Sequence, residues 1–262
     1  MDLKEIDKAL TEYIRPQTNP VAIRMCHSET ELPTKVKFPI KDMNVNISLC
    51  HAITLARRYG WTMAIDKTSS CYVAGLSLGF LPQLPDIVDG SYQAALGLWG
   101  MTKEQAADMI HTMPKLECGK YKYVLISPLN KAEFKPDVIL FYGTPAQVWV
   151  LLSAYLIPIG KFGLPTRLSM GAGCTTYITN TILTEEPQFA LLGSGERLVP
   201  HPQDHECAFS IPMSKIENVV QGLELGRMTG VVRYPIPSYM RYASQHPPGY
   251  DKIRAHLLGE DK

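Results

Sequence analysis

Two apolar stretches constrain the fold of this chain more than any other feature. They are KYVLISPL at residues 122–129 and PDVILFYG at residues 136–143. The second stretch is apolar on both faces, which is typical of a strand that lies in the middle of a covered sheet. Thr144 and Pro145 follow directly and predict the start of a long helix that ends near Leu156. We therefore predict a central strand at residues 136–143, followed by a helix.

Similar signals recur along the chain and indicate its class. Helices are predicted at residues 3–14, 46–60 and 214–227, and further strands at residues 20–25, 61–66, 188–193 and 207–212. We expect an α/β or α+β fold in which helices flank a mixed central sheet. A strand, a helix and a cysteine in a glycine-marked turn occur around residues 21–71 and again around 138–174, which hints at a weak internal duplication.

Length and composition indicate a globular protein, with one large domain or two of ordinary size. The chain has 262 residues, of which 45% are hydrophobic and 19% charged, so it can bury a core without disulfides. We expect a single domain over residues 1–262 that begins with a helix. The end of the chain, from about residue 231, is rich in Pro and Tyr and is expected to form an ordered extension.

Charge and hydropathy exclude several partners. The net charge of +1 gives no electrostatic basis for nucleic-acid binding. The longest apolar run, at residues 148–160, is interrupted by Ser153 and Pro158 and is shorter than the roughly 20 residues of a membrane span. The first residues include acids with a helical period rather than a basic region before an apolar one, so we expect no signal peptide and a cytoplasmic location.

Three of the six cysteines stand in positions suited to chemistry. Ser48 and Gly60 are the predicted cap and stop of a helix that places Cys50 in its first turn, where free N–H groups and the helix dipole favour a thiolate. Cys71 and Cys174 lie beside glycines, which let the backbone approach a bulky group and leave N–H donors free. Cysteines in a reducing compartment are more often thiols or metal ligands than disulfides.

These cysteines predict an iron–sulfur site, against two alternatives. Cys50, Cys71 and Cys174 would bind a 4Fe-4S cluster, with Cys118 or a substrate at the remaining iron. In the first alternative the cysteines are simply buried small hydrophobes. The second is a zinc site in the segment HPQDHEC, whose ligand types suit zinc although its spacing favours a solvated loop: His201, Asp204, His205 and Cys207.

The segment GSGERL, at residues 193–198, is a candidate anion site. The N–H groups around Gly193 and Gly195 can surround an anion, and Arg197 can bind a carboxylate or phosphate through two hydrogen bonds. An ordinary tight turn with Arg197 in an ion pair explains the pattern equally well. Arg57 and Arg58 near the end of the 46–60 helix are interpreted as a solvated face.

The order of these segments resembles that of the domain of unknown function 169 family of bacteria and archaea. The similarity extends from Pro20 to about Glu224 and includes NPVAIRM, CHAITLARRYGW, SCYVAGLSLGF, YVLISPL, PDVILFYGTPAQVWVLLSAYLIPIG, GAGCTTYI, GSGERLV and AFSIPMSKIENVVQGLE. The resemblance implies a cytoplasmic protein of anaerobic metabolism. The positions that match the family pattern are Cys50, Cys71, Cys174, the two glycines and Arg197, whereas Cys26, Cys118 and Cys207 look peripheral.

The sequence therefore predicts a cytoplasmic iron–sulfur protein that acts on a small anionic substrate oriented by Arg197. Electron transfer, reductive cleavage and elimination at an open iron are all compatible with it, and a homo-oligomer is possible. The alternative is a non-enzymatic module that binds a small molecule or anion and whose cysteines are only structural.

Overall fold

The computed structural model describes residues 1–171, 173–230, 232–235, 246–247 and 249–260. Its strands are β1 Val21–Cys26, β2 Met63–Ile65, β3 Tyr123–Pro128, β4 Val138–Gly143, β5 Gln188–Ala190 and β6 Cys207–Pro212. Its α-helices are α1 Leu3–Ile14, α2 Pro39–Met43, α3 Leu49–Tyr59, α4 Tyr72–Ser77, α5 Pro85–Val88, α6 Ser91–Ala95, α7 Lys103–Thr112, α8 Pro145–Leu156, α9 Thr181–Thr184, α10 Ser194–Leu198, α11 Ile216–Thr229 and α12 Tyr250–Leu257. A π-helix covers Gly173–Asn180, and short 3₁₀ turns cover Glu29–Glu31, Leu98–Gly100, Leu129–Lys131 and Met213–Lys215.

The six strands form one sheet in the order β2-β3-β1-β4-β6-β5. The expected body of helices around a central sheet is confirmed, and β4 lies in the interior of the sheet as predicted. The strand directions differ from the mixed sheet that we expected, because every pairing between the six strands is antiparallel. A parallel contact occurs as an isolated bridge between Lys37 and Met63. The fold is thus of the α+β type.

Both faces of the sheet are buried, which explains the apolar runs. Along β4, Val138, Leu140 and Tyr142 face one core, which also contains residues of α3, α4 and the π-helix. Ile139 and Phe141 face the opposite core, which is shared with α1, α8 and α11. Successive side chains of a strand point to opposite faces, so a central strand between two helical layers must be apolar throughout.

Local capping signals account for the helix boundaries. The Ser48 side chain accepts a hydrogen bond from the His51 N–H at the start of α3, and Gly60 ends that helix with φ 74°. Thr102 and Thr144 cap α7 and α8 in the same way. The helices predicted from Ser48 and from Thr144 are confirmed, and they could be predicted because such end signals are local and do not depend on tertiary contacts.

Other expectations fall partly outside the described residues. The C-terminal extension from about residue 231 includes residues 231, 236–245, 248 and 261–262, which the structure does not describe. The strand expected at residues 61–66 is shorter, at Met63–Ile65. Among the described residues, no helix is both long enough and apolar enough to cross a bilayer.

Helices α8 and α11 approach so closely at one point that only glycine fits. A Cβ atom on Gly222 would lie 1.7 Å from the carbonyl oxygen of Ala154. Such a contact is far inside van der Waals distance, and its partner is backbone rather than a flexible side chain. Gly222 therefore sets the separation between the two helices that cover one face of the sheet.

We expect Gly222→Ala to lower the free energy of unfolding by about 1–3 kcal/mol or more, because the added methyl group forces α8 and α11 apart. Intrinsic helix propensity acts in the opposite direction and favours Ala over Gly by about 1 kcal/mol. Urea unfolding followed by circular dichroism measures the change. Gln221→Ala, at the exposed neighbouring position of α11, is the control and should change stability by less than about 0.5 kcal/mol. Equal stability of the two variants would contradict the close approach.

Candidate functional site

Three cysteines from distant segments line one cavity on the α3 side of the sheet. Cys50, Cys71 and Cys174 all contribute to its wall, as do Gly193 and Gly195, and its volume is about 470 Å³. Most other wall residues are apolar. Cavities of this size and composition are typical of small-molecule sites.

Each cysteine occupies the start of a helical element. Cys50 is the second residue of α3, and its Sγ lies 3.0 Å from the Ser48 hydroxyl. Cys71 immediately precedes α4 and is exposed. Cys174 lies in the first turn of the π-helix and packs against the core. π-Helices are rare and are found frequently at functional sites.

The electrostatics of these thiols correct one expectation. The position of Cys50 in the first turn of α3 was expected to favour the thiolate, but burial raises its pKa to about 11, and the hydrogen bond from Ser48 only partly offsets that effect. Burial likewise raises the pKa of Cys174, and the neighbouring Cys71, Cys50 and Glu196 raise it further. Loss of hydration therefore outweighs the helix dipole, and without a bound cation both groups are neutral thiols.

The remaining cysteines do not reach this cavity. Cys118 is exposed, and its Sγ contacts the Leu81 carbonyl at 3.6 Å. Cys26 is buried in β1. Cys207 is buried in the core on the opposite face of the sheet, where its thiol donates to the Gly143 carbonyl at 3.4 Å. Cys118, the expected additional ligand, thus lies apart from the other three.

No set of three or more His, Cys, Asp or Glu side chains within the described ranges is arranged to hold a metal ion. This finding covers the three cavity cysteines as well as the HPQDHEC segment. In that segment Asp204 pairs with Arg197, while Cys207 points to the other face of the sheet. The segment therefore does not form the zinc site considered as an alternative.

The GSGERL segment is arranged differently from the anion site that we expected. The Gly193 N–H donates to the Glu196 carboxylate at 2.9 Å, and the Ser194 N–H donates to the Met170 carbonyl at 3.2 Å. Two donors of the turn are thus already satisfied. Arg197 donates to the Leu192 carbonyl and pairs with the exposed Asp204, and it is not part of the cavity wall.

Glu196 is the acidic group of the cavity. The hydroxyls of Tyr142 and Tyr177 both hydrogen-bond to its Oε1, with Tyr142 at 2.9 Å, and the two hydroxyls lie 2.7 Å apart. Burial raises the pKa of Glu196, while the hydrogen bonds from Tyr177, the Gly193 N–H and Tyr142 partly oppose that change. A carboxyl group in this setting can hold a proton next to the cavity.

A buried ion pair lies beneath this cluster. Arg57 binds both carboxylate oxygens of Glu206, at 2.6 and 3.0 Å, and its Cζ lies 4.2 Å from the centre of the Tyr142 ring. The prediction that Arg57 belongs to a solvated face is therefore wrong, since only 1% of Arg57 is exposed. Arg58 is exposed and also contacts Glu206, at 3.5 Å.

Sequence reasoning missed most of these polar residues. Glu196 was within reach, because it adjoins Arg197 in the segment already singled out. Arg57 and Glu206 are far apart in the chain, and no local pattern signals that they pair. Together the residues form a continuous buried series from the base of α3 to the cavity: Glu206, Arg57, Tyr142, Tyr177 and Glu196.

We expect Arg57→Met to lower the free energy of unfolding by about 3–5 kcal/mol at neutral pH, because it leaves the carboxylate of Glu206 buried without its main partner. Arg58→Met removes the exposed neighbour and should change stability by less than about 1 kcal/mol. Urea unfolding of both variants and the wild type measures these differences. Equal losses in the two variants would refute the assigned role of Arg57.

The same pair predicts a pH dependence. Burial raises the pKa of Glu206, but the hydrogen bonds from Arg57 and the Gln203 N–H and the charge of Arg57 outweigh burial, so the pKa is lowered overall. The pair therefore stabilises the wild type above the unfolded-state pKa, and this contribution is lost as the pH falls through the folded-state value. In Arg57→Met the buried carboxyl group prefers its proton. Acidification from about pH 7 to about pH 4 should therefore narrow the gap between variant and wild type.

Comparison with known proteins identifies the family but no activity. The family model described as uncharacterised ArCR, DUF169, matches residues 9–222. An uncharacterized protein of Methanocaldococcus jannaschii is 23% identical over 226 residues, which is 85% of this chain and 94% of the relative. No solved structure is significantly similar to this chain. Because the family model covers most of the sequence, the chain belongs to the DUF169 family.

Proposed function

We propose that this protein binds an iron–sulfur cluster, of the 4Fe-4S type, through Cys50, Cys71 and Cys174, and acts on a small molecule in the adjoining cavity. The observation that carries the proposal is that three thiols from three separate segments line one cavity. Cysteine thiolates are the usual ligands of such clusters. Two of these cysteines, Cys50 and Cys174, are half-buried and Cys71 is exposed, and a purely structural role does not explain why all three line the same cavity.

A cluster makes a different geometric demand on its ligands than a single ion does. Zinc requires all of its sulfur ligands at about 2.3 Å from one centre, so the sulfurs must crowd together. The described residues contain no group that meets this demand. In a cluster each sulfur binds a different iron, so the ligands stand further apart.

Other features of the surroundings support the proposed cluster. Gly171, Gly173 and Gly193 line the cavity near the thiols and leave space that side chains would otherwise fill. Coordination to a metal deprotonates a thiol outright, so the raised pKa of Cys50 and Cys174 does not prevent ligation. Since Cys118 lies apart, the remaining iron would be available to a substrate.

The protein's own residues suggest how a substrate would be handled. The apolar walls can contact the hydrocarbon part of a bound molecule, and Glu196, held by Tyr142 and Tyr177, can exchange a proton with it. Electron transfer, reductive cleavage and elimination all fit this arrangement. All six cysteines are free thiols, which supports a location in a reducing cytoplasm. A role in anaerobic metabolism is also part of the proposal.

A second candidate is a binding protein without a cluster. Its support is the raised pKa of Cys50 and Cys174, which keeps both thiols neutral in an apolar setting. In that case the cysteines serve as small hydrophobic side chains and the cavity binds an apolar molecule.

Metal analysis of protein purified without oxygen tests the two candidates. We expect iron and acid-labile sulfide in near-equal amounts, about four of each per chain, and a broad visible absorption band. Cys50→Ala, Cys71→Ala and Cys174→Ala should each remove the band. A colourless, metal-free and fully folded wild type, also after reconstitution with iron and sulfide, would leave the second candidate.

Two other cysteines provide matched controls. Cys118→Ala removes an exposed thiol outside the cavity, as a counterpart to the exposed Cys71. Cys207→Ala removes a buried thiol from the opposite core, as a counterpart to Cys174. Both variants should keep the band. Loss of the band in either control would contradict the assigned ligands. It would mean that other residues bind the cluster or that the band disappears because the variant is less stable.

A further inference from the structure

The cavity contains one arginine whose charge is not paired. Arg167 lies on the segment between α8 and the π-helix and lines the cavity. Five other arginines each contact a carboxylate: Arg24, Arg57, Arg58, Arg197 and Arg227. Arg167 has no such ion pair within the part of the chain that the structure describes.

The Arg167 side chain is nevertheless held in place. Its Nη1 donates to the Thr112 carbonyl at 2.9 Å, at the end of α7. This contact is a favourable one for a cation at a helix C-terminus. It uses one N–H of the guanidinium and leaves the others available for a carboxylate.

The walls around this cation are apolar and adaptable. They include Leu49, Val73, Trp99, Met109, Met113 and Leu168. Methionine side chains adjust to irregular ligands, and an indole offers a large flat contact. A ligand that fills this space must therefore carry a substantial hydrocarbon or aromatic part.

The backbone near the cavity mouth is strained in a way that points to ligand contact. Trp99 adopts φ 53°, a left-handed conformation, between Gly97 and Gly100, and its ring is half-exposed. The conformation costs a bulky residue about 1–2 kcal/mol. Backbone strain of this kind clusters at ligand clamps.

The remaining polar groups argue against a phosphate. The N–H groups of Gly193 and Ser194 already have acceptors, and Glu196 adds a carboxyl group to the same wall. With one unpaired cation among the wall residues, the site suits one negative charge. A carboxylate matches the fork of a guanidinium through two hydrogen bonds.

We propose that the cavity binds a small apolar monocarboxylate, whose hydrocarbon or aromatic part contacts the Trp99, Met109 and Met113 walls and whose carboxylate binds Arg167. The inference rests on the proposed function in that it takes this cavity as the substrate site, but it does not require a cluster. In this proposal Arg167 orients the anionic ligand. Arg197 does not, because it pairs with Asp204 outside the cavity.

Calorimetric titration of the reduced protein, as purified without oxygen and with its iron content measured, tests the inference. The probes are 4-phenylbutyrate and octanoate, compared with the alcohols of the same carbon skeletons and with a phosphate monoester of the same chain. We expect saturable binding of the carboxylates and at least about tenfold weaker binding of the alcohols, because a charge-assisted pair of hydrogen bonds is lost. Absence of saturable carboxylate binding, or tighter binding of the phosphate monoester, would overturn the proposal.

Two arginine variants locate the binding group. Arg167→Met should weaken carboxylate binding by about tenfold or more and leave the binding of the alcohols unchanged. Arg197→Met, at the other candidate, should change neither. Arg167→Lys, which keeps the charge without the planar fork, should bind the carboxylates with intermediate affinity. It also keeps the test decisive if Arg167→Met fails to fold. Equal affinities in wild type and both Arg167 variants would exclude Arg167 as the binding group.

The outcome is separable from the test of the cluster. If the protein is colourless and binds carboxylates through Arg167, only the proposed cluster is ruled out. If the protein contains a cluster and binds no carboxylate, only the proposed ligand class is ruled out. Trp99→Phe in the same titration, with emission followed in parallel, should abolish any fluorescence change on binding, and its persistence would contradict contact with Trp99.

Discussion

The buried pair of Arg57 and Glu206 is the interaction on which the geometry of the site depends. It joins the last turn of α3 to the residue just before β6, and both side chains are buried. Cys50 lies roughly two turns away at the other end of α3, and a helix is rigid over that length. The ion pair therefore anchors the helix that carries Cys50. Through the Tyr142 ring it also supports the hydroxyls that hold Glu196.

The two faces of the sheet have different roles. The face shared with α1, α8 and α11 is closed by large apolar side chains and by the contact at Gly222. The other face carries Tyr142 and Tyr177 and opens into the cavity. A protein with a closed apolar core on one face can tolerate buried polar groups on the other, because stability need not come from both.

The sequence predicted the individual helices and strands better than the contacts between them. Ser48 and Thr144 predict the starts of helices because a cap is a contact within a few residues. Strand direction could not be predicted, since the pattern of β4 is the same in parallel and antiparallel sheets when both faces are buried. The roles of Arg57 and Arg167 depend on partners far along the chain, Glu206 and Thr112, which no local spacing indicates.

The π-helix at Gly173–Asn180 has a consequence for how this site can change in evolution. A π turn contains one more residue than an α turn, so it arises from an α-helix by a single insertion. Deleting one residue after Cys174 would restore α-helical spacing and rotate everything before it by about 100° around the axis. Cys174 would then leave the cavity while Tyr177 and Thr179 kept their places in the core. Homologues that lack this one residue are thus expected to have a cavity wall without the thiol and a rotated backbone immediately before it, while the rest of the fold is kept.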